Sequence, residues 1–122
     1  AASFSNYGKE AVNLFAPGEK IYSTVPGNKY SAFSGTSMAA PIVSGVAAIL
    51  MSEFPTIKAV EVRDILIETV EKPRGLEVRI PFKRTRLPNF QLPTPFQNLS
   101  STGGYLSAFK ALELSLRLAG QK

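Results

Sequence analysis

The run from Met38 to Met51 constrains this chain more than any other stretch. Ile42, Val43, Val46, Ala47, Ala48, Ile49, Leu50 and Met51 put apolar side chains on nearly every face of a helix from about Met38 to Phe54. A helix without a wet face is normally buried in the middle of a domain. Fewer than about 18 uninterrupted apolar residues make it too short to span a bilayer. Pro41 falls near the first turn, where a missing N–H costs little, and Pro55 ends the helix. Ser37 then stands at the N-terminus of a buried helix. There the unpaired backbone amides and the helix dipole favour negative charge. Such a position suits a nucleophile whose reaction builds an oxyanion beside it.

A chain of 122 residues with 44% hydrophobic content has room for one folded domain with a sizeable core. Neither cysteine nor histidine occurs in it, which removes disulfides, thiolate metal sites and imidazole bases together. No signal peptide is visible. The abrupt opening on Ala1-Ala2-Ser3-Phe4, which reads as part of a strand, gives the expectation that the start was cut from something longer. The net charge of +5 is concentrated between Glu71 and Arg86, where Lys72, Arg74, Arg79, Lys83, Arg84 and Arg86 face only Glu71 and Glu77. Phe82 is the one aromatic among these bases, too few for a base-stacking platform, so a solvated loop is expected and nucleic acid is not.

Val12–Ala16 reads as a second strand, stopped by Pro17-Gly18. Ile21–Val25 and Tyr30–Ser34 flank Pro26-Gly27-Asn28, a β-hairpin pattern that hands the chain to Gly35 and the apolar helix. Thr56 is a reasonable cap for a second helix with an inner stripe of Val62, Ile65, Leu66 and Val70. Glu61, Arg63, Asp64 and Glu68 take its wet side. Prolines at 73, 81, 88, 93 and 95 forbid a long helix in 71–101, where short extended runs such as Glu77–Phe82 suggest a surface excursion with one edge hairpin. Gly103-Gly104 leads into a last helix from about Ser107 to Leu118, with Phe109, Leu112, Leu116 and Ala119 as its expected inner stripe and Gly120 as its stop. There is no internal repeat.

Gly35-Thr36-Ser37-Met38-Ala39-Ala40-Pro41 resembles the signature around the nucleophile of subtilisin-like serine proteases. Ala2-Ser3-Phe4-Ser5-Asn6-Tyr7-Gly8, Ala16-Pro17-Gly18 and Ser23-Thr24-Val25-Pro26-Gly27-Asn28-Lys29-Tyr30 resemble its flanking segments in family order, and Gly104-Tyr105-Leu106-Ser107-Ala108 is similar to its closing motif. An isolated Ser37 would read as an ordinary helix cap; the seven-residue string with collinear flanks does not. The resemblance covers 1–70 well and 103–119 acceptably, while 71–101 is a longer, basic, Pro-rich insertion. It implies an α/β fold: the C-terminal part (1–122) of one three-layer peptidase domain, with short strands and a hairpin leading into a buried central helix, and two further helices.

The same resemblance implies endopeptidase chemistry through an acyl-enzyme on Ser37. Its backbone N–H would be one oxyanion donor, Thr36 would line the site, Gly35 would admit the substrate backbone, and Met38 would border the leaving-group side while also filling core. Phe4 is a weaker carry-over to that side. Ser34 stands where Asn is common, and Ile42 and Ser44 replace a frequent His and Ala. The family's Asp, His and oxyanion Asn come earlier in the chain, and none of their motifs is present; the only Asp is Asp64. An alcohol with no adjacent base is a weak nucleophile, so the 122 residues alone are expected to be inactive and to depend on the missing N-terminal part. The alternative is a non-catalytic subtilisin-like module that binds a partner. Expected partners are a polypeptide substrate, that N-terminal part and, for the isolated chain, itself. Neither membrane nor nucleic acid is expected. No cofactor or metal site is expected in this chain; calcium is a family property without the necessary carboxylate clusters here. Secretion is implied by the resemblance only.

Overall fold

The computed structural model describes residues 2–81 and 91–120. Three helices hold the core. α1 (Thr36–Glu53) and α2 (Ala59–Glu68) are joined by a short turn, and α3 (Ala108–Ala119) closes over both. On α1 the stripe Val43, Val46, Ala47, Leu50 repeats at three- and four-residue spacing and faces Val62, Ile65, Leu66 and Ala111. Leu50 is the centre of this cluster and is 1% exposed. The inner stripe of α2 is Val62, Ile65 and Leu66, all buried, while Val70, expected on the same stripe, is buried beyond the end of the helix at Glu68; Asp64 lies on the wet side next to Arg63.

α1 itself departs from the expectation of burial all round. Within this chain only Val46 and Leu50 are buried among its residues, and Ile49 is 54% exposed. The other faces of α1 have no cover here. It is also a full 18 residues long, with mean hydropathy 1.3, so length and composition do not exclude a membrane span as the sequence reading held. Pro41 lies in the second turn, not the first. Having no N–H, it leaves the Ser37 carbonyl without its usual donor four residues on.

The sheet structure is smaller than a three-layer domain. β1 (Ile21–Val25) and β2 (Lys29–Phe33) form an antiparallel ladder from Val25↔Lys29 to Ile21↔Phe33, turned by Gly27 (φ 82) and Asn28 (φ 55) in left-handed backbone. β3 (Glu77–Pro81) and β4 (Gln91–Pro95) form a second antiparallel pair, the edge hairpin expected in 71–101. Phe82, Lys83, Arg84, Arg86 and Pro88 of the basic stretch lie outside the described residues.

The expected strands at Ala1–Phe4 and Val12–Ala16 do not form. Ser3-Phe4 is a turn, Ala1 lies outside the described residues, and Phe15 keeps a single parallel bridge to Tyr105. A strand needs a ladder partner; among the described residues Val12–Ala16 has only the closing segment to pair with, and residues 2–4 bond only within their own turn. That pairing is nonetheless continuous. Ser101 and Thr102 donate to the Val12 and Asn13 carbonyls, Phe15 donates to Gly104, and Leu106 donates back to Phe15. The Thr102 hydroxyl adds a 2.6 Å bond to the Asn13 carbonyl. Glu71 and Tyr105 exchange both amide bonds on the far side.

Two helix assignments need correction. The cap of α2 is Lys58, not Thr56: the Glu61 carboxylate reaches back to the Lys58 amide at 2.8 Å, a bond that starts the helix two residues later. The inner face of α3 is Ala111 and Ser115, with Leu112 and Leu114 half-buried; Phe109 (77% exposed), Leu116 and Ala119 face out. Small residues win the inner face because they let α3 approach α1 and α2 closely, and Ser115 satisfies its hydroxyl on the Ala111 carbonyl at 2.9 Å. Ser107 caps α3 through its hydroxyl, as its type suggests.

Leu50→Ala is expected to destabilise the chain by about 2–5 kcal/mol in denaturant unfolding. Phe109→Ala should stay within about 0.5 kcal/mol. The opposite ranking would show that α3 presents its Phe109 face to the core.

Candidate active site

The apolar helix begins at the serine motif. Gly35 is the N-cap, Thr36 and Ser37 are the first two helical residues, and Met38 follows. The Gly35 carbonyl accepts the amides of Met38 (3.0 Å) and Ala39 (3.3 Å). Among the described residues the amides of Thr36 and Ser37 have no acceptor, as the first turn of any helix dictates. The first turn carries no acidic residue, so the positive end of the helix dipole is uncompensated. Ser37 is exposed, and among the described residues its hydroxyl makes no hydrogen bond. An exposed hydroxyl beside two free amides can meet a carbonyl group and hold the oxyanion that forms, but it cannot by itself lose its proton.

A cleft of about 650 Å³ runs along one side of this helix start. Gly35 and Thr36 line it together with Phe4, Leu14, Phe15 and Val43. Ser37 and Met38 are not among its lining residues; Ser37 opens to solvent on the neighbouring face, and Met38 is half-buried with its sulfur near Gly35. The structure thus gathers Phe4, Gly35 and Thr36 in one concavity and leaves Ser37 at its rim. Asp64 is on the exposed side of α2, paired with Arg63 at 3.2 Å, and does not belong to this site. Among the described residues no group of His, Cys, Asp or Glu could hold a metal ion.

What sequence reasoning missed is how the loop is held. Gly35 N–H donates to the Gly18 carbonyl at 2.7 Å. A Cβ at Gly18 would lie 2.8 Å from the Gly35 carbonyl oxygen and 3.2 Å from the Ala39 Cβ. Gly18 is therefore a contact surface for the serine loop, not merely a strand stop. The signal in the sequence was Pro17-Gly18 itself, which reads the same in a plain turn. Next to it the Lys20 amide donates to the Ser34 hydroxyl at 2.8 Å.

Comparison with known proteins agrees with the local geometry. The family model described as the subtilase family matches residues 1–101. Subtilisin DY of Bacillus licheniformis is 48% identical over 68 residues, which are 56% of this chain and 24% of that protein. Subtilisin-like protease 2 of Plasmodium falciparum is 51% identical over 70 residues, 54% of this chain and 5% of its own length. Among solved structures, the one described as the structural basis of subtilase cytotoxin SubAB assembly superimposes with a TM-score of 0.70 at 28% identity. It covers 92% of this chain and 29% of that one. The chain thus spans about a quarter or less of the curated relatives it matches.

Gly18→Ala is expected to lower the melting temperature, since the added methyl meets backbone that cannot yield. Gly45→Ala, in open space on the exposed face of α1, should raise the stability of the 122-residue chain by about 0.5–1 kcal/mol. Equal shifts in the two variants would remove the tight Gly18–Gly35 contact from the account.

Proposed function

The chain belongs to the subtilase family, and we propose that it carries the nucleophile of a serine endopeptidase whose remaining catalytic groups come from outside these 122 residues. The observation that carries this reading is Ser37: an exposed hydroxyl on the first turn of a helix whose leading amides are unpartnered, within the family's motif. Oγ attacks the scissile carbonyl carbon and gives its proton to an imidazole base. The tetrahedral oxyanion accepts from the Ser37 amide and from an Asn side chain. The amine leaves with the base's proton, and water then hydrolyses the Ser37 ester. The imidazole, the carboxylate that orients it and the Asn donor are supplied from elsewhere in the whole protein, because this chain has no His and its one Asp is on the surface of α2. Thr36 and Gly35 line the cleft beside Ser37, and in this reading Met38 borders the leaving-group side.

The occupants follow from the same reading. The substrate is a polypeptide. The uncovered faces of α1 dock the remainder of the domain, and α1 is a core helix, not a membrane span. Its Val43–Leu50 stripe already packs on α2 and α3, which supports a core role. The isolated chain self-associates through the same uncovered faces. Secretion and a calcium requirement of the whole protein accompany the family reading. A second reading, a partner-binding module without catalysis, draws on one observation: Ser37 has no base among the described residues.

In the full-length protein, a fluorophosphonate probe is expected to label Ser37, and Ser37→Ala should abolish labelling. The 122-residue chain alone should label at a negligible rate. Labelling of the isolated chain at a rate comparable to the whole protein would defeat this division of the catalytic groups. Failure of the whole protein to label would favour the binding module.

A further inference from the structure

The two bonds at the base of the serine loop sit where a regular ladder stops being regular. In the β1–β2 register, residue numbers across each pair sum to a constant, and Ile21↔Phe33 is the last pair. One step further, Lys20 faces Ser34. At that step the backbone does not continue the ladder: Lys20 turns into left-handed backbone (φ 53), and its amide is taken by the Ser34 hydroxyl. One more step would pair Gly35 with Glu19, yet the Gly35 amide bonds to Gly18. The pairing has slipped by one residue, and the slip falls at Lys20. Gly35 is the N-cap of α1, so the backbone path through these two bonds sets how the first turn presents Thr36 and Ser37.

The slipped register has a specific weakness. The left-handed turn at a lysine is unfavourable, and it leaves the Lys20 amide without a backbone acceptor. The Ser34 hydroxyl removes that deficit at 2.8 Å. We propose that Ser34 is a positioning residue for Ser37: its hydroxyl holds the left-handed turn at Lys20 and, with the Gly18–Gly35 bond, fixes how the first turn of α1 presents the nucleophile. This rests on the peptidase reading above. Ser34 does not touch substrate; it acts through Gly35.

The test uses the full-length protein in three forms: wild type, Ser34→Ala and Ser34→Thr. Threonine keeps the accepting hydroxyl, and alanine removes it. In Ser34→Ala, fluorophosphonate labelling of Ser37 should slow about tenfold, and kcat for a peptide substrate should fall by the same factor at unchanged KM. Hydrogen exchange at the Lys20 and Gly35 amides should quicken about fivefold. Ser34→Thr should restore all three to within about twofold of wild type. Labelling of Ser34→Ala at the wild-type rate, or unchanged exchange at Lys20 and Gly35, overturns the proposal. So does a loss in Ser34→Ala that Ser34→Thr does not rescue, since that would mark the position as intolerant of change and not dependent on an acceptor. A wild-type protein that does not label at all overturns the peptidase reading instead, and is told apart by the missing signal in the reference arm.

Discussion

The packing of one stripe of α1 against α2 and α3 is the interaction on which the rest of the molecule depends. Val46 and Leu50 meet Val62, Ile65, Leu66 and Ala111, and this is the only extended core among the described residues. It anchors the C-terminal two-thirds of a helix whose other end carries Ser37. Because a helix is stiff over 18 residues, this packing sets its axis, and the contacts at Gly18 and Gly35 hold its first turn. The close approach of α3 through Ala111 and Ser115 matters for the same reason: bulky residues there would push α1 away from α2. The Phe109 and Leu116 face is thereby turned outward.

At the N-terminal end the helix is held by few but specific contacts. The closing segment 101–106 is stitched along 12–15, which leads through Ala16 and Pro17 to Gly18. Gly18 then holds Gly35. The serine motif is thus tied to the C-terminal part of the chain through backbone hydrogen bonds and through a position with no room for a side chain. Among the described residues the Ser37 hydroxyl has no hydrogen-bond partner, and the amides of Thr36 and Ser37 at the helix start have no acceptor.

The same division appears in the packing. α1 is apolar all round, yet only one stripe is covered, and the cleft beside Thr36 is walled mainly by apolar side chains. The uncovered apolar faces and the unpartnered Ser37 hydroxyl lie on the same helix, in a chain that spans about a quarter or less of its curated relatives.

The sequence alone determined the hairpin, because Pro26-Gly27-Asn28 has few alternatives to a tight turn, and it determined the three helices from their periodicity and stops. It determined the inner face of α2, where apolar and charged residues separate cleanly, and the identity of the serine motif. It could not decide the inner face of α3, where leucines occur on more than one side and the choice fell to the small residues that permit close approach. Nor could it decide the cap of α2, since Thr56 and Lys58 differ in what Glu61 can reach and not in local pattern. The strands expected at residues 1–4 and 12–16 depended on partners that local pattern does not supply. The tertiary structure alone decided that Gly18 and Ser34 hold the serine loop, because both bonds join residues far apart in sequence. Both bonds lie beyond the last ladder pair, where the chain path, and not the local pattern of either residue, decides which atoms meet.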